Sequence, residues 1–300
     1  FLKRKNSSGF LSGHLFVFLS ACNGSRIEGT NDDDNLGGTD KSDILLGFGG
    51  DDIFQAGTGN DTFDGGEDID TVSYSNVSSS VSINLGLTPA QVTALDYTDT
   101  LINIENIIGS SYNDLIIDGE ADNELTGGPG DDTFEITTGS TTITDLHTGD
   151  IVFVYESATL NAIVETEFIA SSKTANFGTF KLLATDSGTQ IDMRDTIAGE
   201  YILIGGSGAD FLAGGSKDDI LTGGEGSDTF IVNSGNDYIS DLSTGDALKV
   251  SSGSTATAFN IVNFVASDST ENFGTVTLVA KEGGAVIDLS LSTSGTYSVI

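Results

Sequence analysis

Residues 47–64 read GFGGDDIFQAGTGNDTFD, two nine-residue units back to back. Each runs through a glycine-rich stretch to an aspartate, Asp52 or Asp61, and two residues later reaches a phenylalanine, Phe54 or Phe63. Outward from there the same spacing gives Asp34 and Asp43 on one side and Asp70 on the other, followed by Leu36, Leu45 and Val72. The register does not slip across residues 29–73. A strict period of nine is too short for a helical repeat and too regular for a loop. It marks a small unit that stacks on copies of itself. Stacking would set the aspartates in columns.

The pattern returns twice. Across 109–135 the acidic position holds Asp114, Asn123 and Asp132, with Ile116, Leu125 and Phe134 two residues on. Across 205–231 it holds Asp210, Asp219 and Asp228, followed by Leu212, Leu221 and Phe230, and the period carries on to Asp237 and Asp246. A longer repeat overlies the short one: 109–204 aligns with 205–300 at a constant offset of 96, so that ITDLHTGD falls on ISDLSTGD and NFGTF on NFGTV. Each 96-residue unit reads as a repeat run plus a strand-rich tail. In the tail, the alternation at 274–279, the turn Lys281-Glu282-Gly283-Gly284 and the strand 285–289 predict a hairpin. Between the first run and the duplication, VSYSNVSSSVSINL reads as strand, turn, strand. Thr88-Pro89-Ala90-Gln91 fits a capped helix start and predicts a short helix.

Composition narrows the function. The chain has 300 residues and a formal net charge of -34, from 45 acidic and 11 basic side chains. Such a surface repels nucleic acid and attracts cations. Hydrophobic residues make up 37% and recur in pattern, so the reading is an all-β fold that needs counter-ions rather than a disordered chain. Cys22 stands alone, which excludes an intrachain disulfide framework. No HExxH, GxSxG or GK[ST] motif is present, and the acidic pairs single out no catalytic couple, so no enzymatic activity is expected from these residues.

Nine residues supply what calcium needs. The ion takes six to eight oxygen ligands in flexible geometry. Glycine turns offer backbone carbonyls, the aspartate adds a charged oxygen, and the strand that follows sends one apolar side chain inward. Adjacent strands lie roughly 4.8 Å apart, and two unit charges at that spacing repel by about 3 kcal/mol at an effective dielectric near 20. Several such pairs outweigh the roughly 5–15 kcal/mol of a typical domain. Folding is therefore expected to require a cation.

The units resemble GGxGxDxUx, the calcium-binding repeat of RTX (hemolysin-type) proteins. The resemblance implies a parallel β-roll with two units per coil and calcium between successive turns on one side. It pairs Asp34 with Asp52, Asp52 with Asp70, Asp43 with Asp61, Asp114 with Asp132, Asp210 with Asp228, and Asp219 with Asp237. Asn123 keeps an oxygen but loses the charge, so a weak or absent site is expected there. Asp145, Asp150, Asp241 and Asp246 read as exposed turn residues rather than closing ligands. Asp192 and Asp288 read as solvent-facing, and His147 as an exposed loop residue.

The N-terminal segment carries a basic head, Lys3-Arg4-Lys5, an apolar run over 10–21, and the tetrad Leu19-Ser20-Ala21-Cys22. It resembles a bacterial lipoprotein signal with a lipobox, against the reading of an apolar strand from an upstream domain. Lipidation at Cys22 and tethering to an envelope membrane follow from the first reading. The expected organisation is a leader at 1–22, a linker at 23–28, a first roll at 29–73, a β-rich connector at 74–108, and the units 109–204 and 205–300, with separate rolls joined by their tails. The expected function is calcium binding in an extracytoplasmic surface or secreted protein. The alternative is the C-terminal part of a larger type I-secreted exoenzyme or adhesin.

Overall fold

The computed structural model describes residues 24–94, 96–185, 188–196, 198–293 and 295–300. The leader and its Cys22 lie outside the described residues. Among those described no helix forms. The chain winds instead as a parallel β-solenoid. One face is a single sheet of fourteen strands, running from Asn35–Gly37 to Thr296–Val299. A ten-stranded sheet faces its first part and a six-stranded sheet its later part.

Register shows why the period is nine. Leu36 pairs with Phe54, and Phe54 with Val72; on the opposite face Leu45 pairs with Phe63. Partners are eighteen residues apart, so two units make one coil. The apolar residue of each unit points inward and is fully covered, as at Leu45, Phe54, Phe63 and Val72. Phe54 and Phe63 meet edge to face across the core, with ring centroids 5.8 Å apart.

The long sheet also explains the 96-residue repeat. Its inward residues step from Ile107 to Leu125, Ile143, Ala162, Leu182 and Leu203. The same register steps again from Leu203 to Leu221, Ile239, Ala258 and Leu278, and ends at Val299, exposed on the last coil. Each unit is thus a set of coils of 18, 18, 19, 20 and 21 residues. The tails are further coils of the same solenoid, which corrects the expectation of separate rolls. Residues added to the longer coils build a third side, seen in the strands Glu167–Ile169 and Asn263–Val265.

Two local expectations are overturned. Residues 275–280 and 286–288 do not form a hairpin. Thr275–Ala280 pairs in parallel with Thr255–Ile261 and Thr296–Val299, while Val286–Asp288 pairs in parallel with Asn263–Val265. The glycines at 283 and 284 turn a corner of the coil instead of reversing the chain. No helix follows Thr88. Ala90–Thr93 is a strand, antiparallel to Ser82–Asn84 and to Thr98–Ile102. Its alternating burial, with Val92 inward and Gln91 and Thr93 outward, suits a sheet surface, and pairing on both edges overrides the capping pattern. This antiparallel excursion sits inside the ten-stranded sheet, after which the solenoid resumes.

Candidate metal centre: columns of buried carboxylates

The repeat aspartates stand where a turn enters a strand, and each reaches along the solenoid axis. The Asp34 amide donates to Asp52 Oδ1 at 2.8 Å and the Asp52 amide to Asp70 Oδ1 at 2.9 Å. Asp43 donates to Asp61, Asp114 to Asp132, Asp210 to Asp228, and Asp219 to Asp237 in the same way. All six pairs expected eighteen apart are therefore neighbours in a ladder. Asp34, Asp52 and Asp70 form one column, feeding the long sheet, and Asp43 and Asp61 form another, feeding the facing sheet.

The second carboxylate oxygen gives the columns their chemistry. Oδ2 of Asp52, Asp61, Asp70, Asp132, Asp210 and Asp237 is buried without any hydrogen-bond partner. A buried carboxylate oxygen left unpaired is costly. Burial accordingly pushes Asp61, Asp132 and Asp219 up to about 7 and Asp237 to about 8, with the neighbouring carboxylates adding to the shift and amide donors opposing it. Asp52, Asp70 and Asp228 rise to about 6, again first through burial, and Asp114 and Asp210 rise for the same reason.

These oxygens face cradles that only glycine leaves open. A Cβ at Gly47 would collide with Asp52 Oδ2 and the Gly65 carbonyl, and one at Gly205 with Asp210 Oδ2 and the Gly223 carbonyl. At Gly214 the Oδ2 atoms of Asp219 and Asp237 converge on one point. Gly50 holds the turn with φ 92°, and a Cβ there would strike the backbone of the preceding coil. Among the described residues no three His, Cys, Asp or Glu side chains gather as around a metal ion; the columns bring the carboxylates together in pairs. Paired carboxylate and carbonyl oxygens are the donor set of a hard cation such as calcium.

The ladder also takes in residues that the sequence reading set aside. Asp150 and Asp246 are buried, and their Oδ1 atoms accept the Asp132 and Asp228 amides at 2.9 Å; both continue the eighteen-residue spacing, which was the signal for them. Asp145 takes the Gly127 and Gly128 amides, and Asp241 those of Gly223 and Gly224, so these are clamps and not free turn residues. Asp192 is buried and gripped by Arg194 rather than solvent-facing. His147 sits at the rim, 3.5 Å from Asp150. Asn123 donates to the Glu105 carbonyl at 2.7 Å, which leaves no acid at that position of its column. Asp99 and Glu105 accept the Asp61 and Asp70 amides, 38 and 35 residues away. No fixed period could have found them.

A second ladder runs outside the first, in the opposite sense. At several turns the residue before the ladder aspartate accepts an amide from the next coil: Asp33 from Asp51, Ser42 from Asn60, Asn113 from Asp131. A short polar side chain at that position, as at Asp33, Ser42 and Asn113, was its trace in the sequence.

The geometry defines a class, a parallel β-roll with carboxylate-lined turns. Four stretches, residues 28–63, 37–72, 103–135 and 204–239, match the RTX calcium-binding nonapeptide repeat. The chain thus carries RTX repeats, and such repeats bind Ca2+. The matches leave out 136–203 and 240–300, where the solenoid continues without the motif. No curated protein matches the chain significantly.

Proposed function

We propose that Asp34, Asp43, Asp52, Asp61, Asp70, Asp114, Asp132, Asp210, Asp219, Asp228 and Asp237 supply side-chain oxygens to calcium ions seated between successive turns. Asp150 and Asp246 extend the set at the ends of two columns. The observation that carries this reading is the row of buried Oδ2 atoms without partners, aimed at glycine cradles beside backbone carbonyls. Bound calcium would neutralise charges that the fold otherwise holds unpaired at strand spacing, so metal binding and folding are one process. Equilibrium dialysis of the chelated full chain against radioactive calcium tests the assignment. Several ions per chain are expected, with fewer in Asp219→Asn and Asp237→Asn; a chain that retains no calcium at millimolar free ion defeats it.

The protein acts outside the cytoplasm, tethered through a lipidated Cys22. The leader-like segment with its lipobox supports this reading, as does the calcium affinity of extracellular modules, roughly 0.1–1 mM, which suits an external supply. Labelling with a palmitate analogue is expected to mark the wild-type chain and to miss Cys22→Ala. Equal labelling of both, or of neither, removes the anchor and favours a secreted RTX protein instead.

A further inference from the structure

Beyond the matched repeats, the hairpin turn that leads from Ala90–Thr93 into Thr98–Ile102 occupies the place of a repeat turn. It closes the antiparallel excursion and lies inside the gap 73–102 between matches. Both ladders nevertheless pass through it. The Asp61 amide donates to Asp99 Oδ1 at 2.8 Å, and the Thr98 amide donates to Asn60 Oδ1 at 2.8 Å. The following strand continues the sheet in register, with Thr62 opposite Thr100 and Phe63 opposite Leu101. Asp99 therefore stands where the next aspartate of the Asp43–Asp61 column belongs, displaced by twenty residues of inserted chain.

The surroundings of this pair differ from every repeat turn. Asp61 and Asp99 are both buried. Asp61 Oδ2 has no partner, and neither does the buried hydroxyl of Tyr97. The Tyr74 hydroxyl donates to Asp99 Oδ2 at 3.2 Å from the core side, and both aspartates act electrostatically on the Tyr97 hydroxyl. Two carboxylates and the Tyr74 phenol thus meet, with the Tyr97 hydroxyl buried within their electrostatic reach; Asp61 Oδ2 and that hydroxyl are unsatisfied. The turn has no glycine, so its oxygens come from side chains rather than from closely approaching backbone.

We propose that Asp61, Asp99 and Tyr97 form a divalent-cation site of their own, a calcium site outside the nonapeptide pattern, with Tyr74 holding Asp99 in place. It joins the first repeat run to the duplicated units across the insertion. The proposal rests on the calcium reading of the columns.

The chain has seven tyrosines and no tryptophan, so terbium used in place of calcium is lit only through tyrosine. The experiment uses the full chain and has two readouts, bound calcium per chain and terbium emission on tyrosine excitation. Asp99→Asn is expected to bind one calcium fewer than wild type. Tyr97→Phe is expected to lose a saturable part of the terbium emission. Unchanged calcium count in a folded Asp99→Asn chain, or unchanged emission in Tyr97→Phe, overturns the proposal. If Asp99→Asn does not fold, Tyr97→Phe decides alone. A wild-type chain that binds no calcium would instead defeat the reading of the columns themselves.

Discussion

Coils of 18 residues and coils of 19 to 21 residues share one solenoid and one long sheet, yet close their turns by different means. In the short coils the turn is a glycine cradle around a buried aspartate with an unpaired oxygen, as at Gly47 and Asp52. In the 20-residue coils an asparagine closes the turn and ties it to the next coil. Asn176 donates to the Glu200 carbonyl and accepts the Gly178 amide, and Asn272 does the same with Thr296 and Gly274. An asparagine satisfies the backbone without leaving a charge over. On the proposed reading the short coils take a cation to be complete, whereas the 20-residue coils close their turns with asparagine.

The largest expected effect follows from calcium removal. In hydrogen exchange, chelation should strip protection from the coils at 24–73 first and most, while amides of the coils around 159–184 lose less. Uniform loss across both regions would dissolve the distinction.

Next comes a pair of substitutions read against calcium. Stability should rise with calcium by about 1.4 kcal/mol per tenfold for each ion bound near saturation. Asp228→Ala should lower that slope by one ion. Asn176→Ala should lower stability by about 1–3 kcal/mol through its lost hydrogen bonds and leave the slope unchanged. Denaturant melts at several calcium concentrations check both.

Acid should partly replace the metal. The folded, metal-free values of Asp61, Asp132, Asp219 and Asp237, about 7 to about 8, lie above the value of an unfolded aspartate, about 3.9. Groups raised on folding contribute stability below the unfolded value and lose it as pH rises through the folded one. In chelator the solenoid should therefore be more stable at pH 5 than at pH 8, and a thermal melt at each pH reads the difference. Constant stability over that range would mean that the carboxylates carry no folding-linked charge.

The smallest effect belongs to a single turn. Phe48 sits at φ 81° with its ring half exposed, in the left-handed region that costs a side-chain-bearing residue about 1–2 kcal/mol. Phe48→Gly should raise stability by about 0.5 kcal/mol, once the extra freedom of an unfolded glycine is set against the relief.

What the sequence made legible was whatever repeats at fixed distance. The eighteen-residue partners, the inward Leu, Phe and Val positions and the all-β roll follow from a period, because each unit carries its turn and its core contact together. The long coils lack that mark. Ala162, Leu182 and Leu203 stack at intervals of 20 and 21, and varying spacing hides the continuation. Thr88-Pro89 looked like a helix start because capping is local, while the sheet edges that claim Ala90–Thr93 come from remote chain. Asp150 and Asp246 were readable from spacing but masked by thin glycines. Asp99 was not readable, since an excursion in the chain separates it from its ladder.

On the proposed reading calcium binding and formation of the roll are one event. A far-UV circular dichroism titration of the chelated full chain at neutral pH tests it most directly. The β-sheet signal should grow with calcium and saturate, with a midpoint about 0.1–1 mM; a spectrum unchanged from chelator to excess calcium would contradict it.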